Sequence, residues 1–183
     1  SLADSIAVIG LVLLFLRTHG ERPRDVLLGD RSVRREALAG LPLVLVAIGI
    51  VAIVLTAIQQ LLPSLHNVEH NPLQELMKSP RNASLFVLVA LVAGGLREEI
   101  QRAFLLHRFD VWLGGGVTGV IVTSAAFGAG HLIQGVDAAV ATGLLGAFWG
   151  MVYLRRRSMV APMVSHAGFD LLQILAQVLN VTR

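Results

Sequence analysis

The chain has 183 residues, 55% of them hydrophobic and 15% charged, with a formal net charge of +3 and a mean hydropathy of +0.71. A soluble domain carries about 25% charged residues. The shortfall excludes a disordered chain, a disulfide-stapled secreted fold and most soluble enzymes. Cysteine is absent, so there is no thiolate nucleophile and no Cys-ligated zinc. The pI near 10.5 comes without a basic face interleaved with aromatics, and nucleic acid is not an expected partner. What fits is a polytopic membrane protein forming one integral membrane domain over 1–183.

A bilayer core of about 30 Å needs roughly 20 apolar residues in helix. In chain order, the first apolar run, Leu2–Leu16, is short and opens on Ser1 rather than Met, which points to residues upstream. No basic segment precedes it, as a cleavable signal would require. Ala37–Leu62 is the longest run. Leu85–Leu106 follows, interrupted by Arg97-Glu98-Glu99-Ile100-Gln101-Arg102. Val117–Leu132 starts after Gly114-Gly115-Gly116 and carries His131; Val136–Leu154 comes next. The last, Met159–Val181, contains Pro162, His166 and Asp170. The expected fold is all-α, a bundle of about six transmembrane helices around a buried polar cavity.

Alternating six segments across a membrane puts three connections on one side. They hold Arg17, Arg22, Arg24, Arg31, Arg34 and Arg35, then Arg108, then Arg155 to Arg157. The other side has Lys78, Arg81 and Arg183. The positive-inside rule makes the first set cytoplasmic and both ends of the chain external, in what is expected to be a bacterial inner membrane. Arg155–Arg157 reads as a topology anchor beside membrane lipid.

A charge at bilayer depth costs at least about 2.5 kcal/mol on insertion scales, so an intramembrane ionisable group is a functional candidate by default. Three segments carry such groups. Arg102 can reach Glu98 or Glu99 at four- and three-residue spacing. Asp170, one turn beyond His166, can orient that imidazole. Glu98, Glu99, His131, His166 and Asp170 together suit general-base activation of water, with Arg102 as a further cation. The same groups allow a second reading, a divalent metal such as zinc held by Glu98, His131 and His166. The metal-independent route is favoured, with no cofactor required.

Those residues resemble the CAAX-protease and bacteriocin-processing family of intramembrane proteases, which includes the Ras-converting endopeptidases. The family's second motif, F-x-x-x-H, is matched by Phe127 and His131, and its third, H-x-x-x-D, by His166 and Asp170. Its first, E-E-x-x-x-R, is met by Glu98, Glu99 and Arg102 with one residue fewer in between. One residue turns a helix by about 100°, so the two glutamates and the arginine cannot all keep the family register. Glu98, first of the pair, is the favoured base, with Glu99, Arg102 and Phe127 supporting. The resemblance covers 85–183, the expected catalytic helices. It implies an endopeptidase acting on a peptide or protein substrate near the membrane, in some branches a lipidated one.

Competing classes are a non-catalytic immunity or scaffolding protein and, further off, a proton-coupled transporter. Gly146 and Gly150 read as a helix-packing step. His19, His66, His70 and His107 receive no role, and oligomeric state is left open.

Overall fold

The structure, a computed structural model, describes residues 2–68 and 80–181. His70, Lys78, Arg183 and the Arg81 side chain, which entered the sequence argument, lie outside the described residues. Among the described residues there is no strand. Helix α1 runs Leu2–Thr18, a five-residue α2 covers Pro23–Leu27, and α3 covers Val33–Leu61. One continuous helical stretch follows: α4 at Pro80–Val89, a π-helical segment at Ala90–Glu98, and α5 at Glu99–Trp112. Helices α6 (Gly116–Ala129), α7 (Val136–Arg156) and α8 (Val160–Val181) complete the bundle. Each expected apolar run has a helix at its core, the fourth stopping short of its expected end.

Helices α3 and α7 are each long and apolar enough to cross a bilayer. Most of the outward surface of α3 is bare hydrocarbon: Leu38, Leu41, Leu45 and Ile53 are all exposed. Its inward face is Gly40, Val44 and Ala47, buried at i, i+4 and i+7. Between lipid and lipid-like side chains there is no hydrophobic drive to associate, so close packing must hold the helices. Small residues supply it. A Cβ added at Gly40 would stand 2.7 Å from the Ala161 carbonyl oxygen, and one at Gly168 would stand 2.9 Å from Val44. Helix α8 therefore lies directly against α3. On its other side Gly95 meets Ala167 just as closely, bringing the π-helical segment against α8.

The expected basic connections gather at one end of the bundle. Arg156 forks onto the buried Glu36 at 2.6 and 2.9 Å, and Arg31 Nε donates to the Arg156 carbonyl at 3.0 Å. Arg157 donates to Asp110 at 2.5 Å, and Arg108 pairs with Glu21. That Arg157 contact holds the Asp110 carboxyl below its ordinary value. Helix α2 is pinned there too, since the Tyr153 hydroxyl donates to the Val26 carbonyl and Met159 N–H to the Leu27 carbonyl, both at 2.8 Å. At the opposite end His66 meets Asp137 at 2.6 Å and Asn67 Oδ1 accepts from Val136 N–H at 2.9 Å. His66, given no role from sequence, thus ties the connection after α3 to the start of α7.

Candidate active site

Three helical elements converge on the polar residues. Glu98 ends the π-helical segment and Glu99 begins α5. A π turn closes i→i+5 hydrogen bonds and advances each residue through a smaller angle than an α turn. The nine residues Ala90–Glu98 therefore re-phase the helix just ahead of the glutamates. The two side chains part company. Glu99 is buried, paired with Arg102 one turn on, while Glu98 is turned toward open space and takes a 3.1 Å bond from Arg97 Nη2.

His131 departs from expectation in its setting. The fourth segment was expected to stay helical to Leu132, but α6 stops at Ala129 and is only 14 residues long, roughly 21 Å. His131 lies in the turn beyond it. The helix end leaves unpaired carbonyls, and the His131 ring takes one of them, Nδ1–H donating to the Phe127 carbonyl at 2.8 Å. A carbonyl only accepts, so Nδ1 carries a proton, and in the neutral ring Nε2 presents a lone pair. Leu132–Gln134 then forms a short 3-10 turn, and Gly135, at φ 116°, reverses the chain into α7. Because α6 is too short to span about 30 Å, the turn enters the depth of the site.

His166 is buried on α8 and held from several sides. Its Nδ1–H donates to Glu99 Oε1 at 2.8 Å. The orienting carboxylate is thus Glu99 from α5, not Asp170 one turn away as the spacing suggested. Asp170 Oδ2 stands 3.7 Å from Nε2, and Glu98 Oε2 3.9 Å from the same nitrogen. Helical neighbours four apart approach, but the shorter bond goes to the carboxylate from the neighbouring helix. Trp149 stacks on the ring with centroids 3.9 Å apart and planes 20° apart, and Phe127 presents its edge at 6.1 Å. Arg102 lies over the Phe127 ring at 4.8 Å, closing the back of the site.

Glu98, His131, His166 and Asp170 all line one cavity of about 280 Å³ between the π-helical segment, the His131 turn, α7 and α8. Gln134, Thr142, Gln173 and Gln177 add amide and hydroxyl groups to its wall, and Phe86, Leu145, Phe169 and Ile174 add apolar ones. A second cavity of about 490 Å³ runs between α5 and α6, from Arg97 and Gln101 to Leu105, Phe109 and Val122. Glu98, Phe127 and His131 line both, so these side chains stand where the two spaces meet. Among the described residues no three His, Asp or Glu side chains are grouped closely enough to hold one metal ion.

All five expected site residues therefore meet, with Arg102 and Phe127 behind them. Three contributors were missed. Arg97 contacts Glu98 directly, and its place immediately before the glutamate pair was the available signal. Gly94 matters through what it lacks: a Cβ there would stand 2.6 Å from Asp170 Oδ2. Trp149 had no sequence signal beyond being an aromatic in a small-residue helix.

A family model described as type II CAAX prenyl endopeptidase, Rce1-like, matches residues 80–172. The match takes in Glu98, Glu99, Arg102, Phe127, His131, His166 and Asp170. Comparison with curated proteins and with solved structures gave no match.

Proposed function

Since the chain belongs to the Rce1-like family of type II CAAX prenyl endopeptidases, a membrane-embedded peptidase family, we propose that it hydrolyses a peptide bond with water activated by Glu98 and His131. The observation that carries this is the placement of Glu98 and His131 on one shared cavity, the His131 Nδ1 being committed to the Phe127 carbonyl, with His166 and Asp170 across it. In this reading a water bonded to His131 Nε2 gives a proton to the Glu98 carboxylate while its oxygen attacks the carbonyl carbon. The carbonyl electron pair moves onto oxygen. In its imidazolium form His166 donates from Nε2 to that oxyanion, Nδ1 being committed to Glu99. As the tetrahedral intermediate collapses, the C–N bond breaks and the Glu98 proton passes to the leaving amine. Glu99 and Arg102 act behind the reacting atoms, as a buried pair that fixes the imidazole.

The route uses side chains and water alone, and activity should survive chelation. The substrate is proposed to be a membrane-proximal peptide or protein, lipidated or not, reached from the basic, cytoplasm-facing end or from within the bilayer. Membranes expressing the wild type and Glu98→Gln are compared by mass spectrometry for new peptide termini. Losing the base should reduce their formation roughly 10²- to 10⁴-fold at equal expression. Identical terminal profiles would overturn the peptidase reading and favour an immunity or scaffolding role.

A further inference from the structure

His166 has one nitrogen pointed at the cavity and everything else about it is held. Glu99 holds Nδ1 at 2.8 Å. That bond still allows the ring to swing about the Nδ1–Oε1 line, and swinging would carry Nε2 out of line with Glu98 and Asp170. What stops it is the stack. Trp149 covers one face of the imidazole at 3.9 Å and 20°. The indole is itself immobilised: it is 1% exposed, and Nε1–H donates 3.1 Å to Ser165 Oγ, from the residue just before His166. Ring, indole and hydroxyl form a closed unit across α7 and α8. An indole face also attracts a cation, most strongly away from water, so the same stack favours the imidazolium that would meet an oxyanion.

We propose that Trp149 is a positioning residue that clamps the His166 imidazole face-on, leaving only Nε2 free to act in the cavity. Its role in catalysis rests on the peptidase reading above; the clamp does not.

The clamp can be read without a substrate. The chain has two tryptophans, and Trp112 is exposed at the end of α5. In a Trp112→Phe background Trp149 is the sole indole, and an imidazolium stacked at van der Waals distance quenches indole emission. With the protein in lipid nanodiscs at one fixed pH, Trp149 emission should rise in His166→Gln, where the stacked ring is gone, and stay unchanged in His131→Gln. Emission unchanged in His166→Gln, or raised equally in His131→Gln, overturns the clamp.

Turnover supplies the second measurement. Trp149→Leu removes the planar face and should lower kcat roughly tenfold with KM little changed, the pattern of a lost transition-state interaction. Trp149→Phe restores a face and should recover most of that loss. Equal losses in Phe and Leu variants that are both folded, or a loss confined to KM, would overturn the positioning role. Where Trp149→Leu does not fold, the Phe variant and the emission comparison still decide. A His166-dependent emission in a protein that cleaves nothing would leave the clamp standing and remove the peptidase reading.

Discussion

At the scale of single residues the site is shaped as much by absent atoms as by present ones. Gly94 and Gly95 are neighbours in the π-helical segment, yet their missing side chains face different things. A Cβ at 94 meets the far end of the Asp170 side chain at 2.6 Å, with His166 Nε2 at 3.9 Å. A Cβ at 95 meets the Ala167 Cβ at 2.9 Å and its Cα at 3.4 Å. A carboxylate can swing aside, whereas an α-carbon moves only with its helix. Gly94→Ala is therefore expected to keep its melting temperature while losing roughly 10- to 100-fold in turnover, the scale of a misplaced catalytic group. Gly95→Ala should do the reverse and lower the melting temperature first. Paired thermal unfolding and terminus-formation rates check both. The sequence made the polar residues legible one helix at a time, through spacings of three and four. It could not show that Glu99 would take His166 Nδ1 from another helix, because such a bond depends on how helices cross.

At the scale of elements, the apolar runs translate into helices with little change. Ala37–Leu62 became Val33–Leu61, and Val136–Leu154 became Val136–Arg156. Hydrophobic length is enough for that. Two features are not matters of hydropathy. The π-helical segment leaves no mark in composition, yet by re-phasing the helix just ahead of Glu98 and Glu99 it sets where the pair faces. The early stop of α6 was also hidden, since Gly130, His131 and Leu132 extend the apolar pattern past the true end. Packing of α8 on α3 depends on Gly40, where an added Cβ would lie 2.7 Å from the Ala161 backbone and 2.8 Å from Val164 Cβ. Both obstacles are stiff. Gly40→Ala should cost about 1–3 kcal/mol by overpacking, seen as a lower unfolding midpoint in detergent. Because Ala47, on the same face, shares a buried cluster with Trp149 and Phe169, activity should fall with it.

At the scale of the whole molecule, the arginines of the three basic connections hold one end of the bundle together. The alternation of basic connections placed these segments on one side, and the contacts do bring them to one end. Glu36 shows what the alternation could not: an acid inside the basic cluster, with a side chain 2% exposed against 31% for its partner Arg156. This asymmetry makes the two halves of the pair unequal. Removing Arg156 leaves a buried carboxylate whose nearest remaining cation is Arg31 at 3.8 Å, and stranding a buried charge costs about 3–5 kcal/mol. Removing the carboxylate charge leaves Arg156 able to turn to water. Arg156→Ala should thus destabilise the bundle by roughly 3 kcal/mol, and Glu36→Gln by clearly less. The double variant should be less damaged than the sum of the two, because the stranded charge is then gone. Denaturant midpoints of the three variants test this, and equal costs for the two single changes would show that Glu36 reaches water after all. The lock joins the start of α3 to the end of α7. Its loss should therefore loosen the frame that carries Gly40, α8 and His166, and turnover should fall in step with the midpoint.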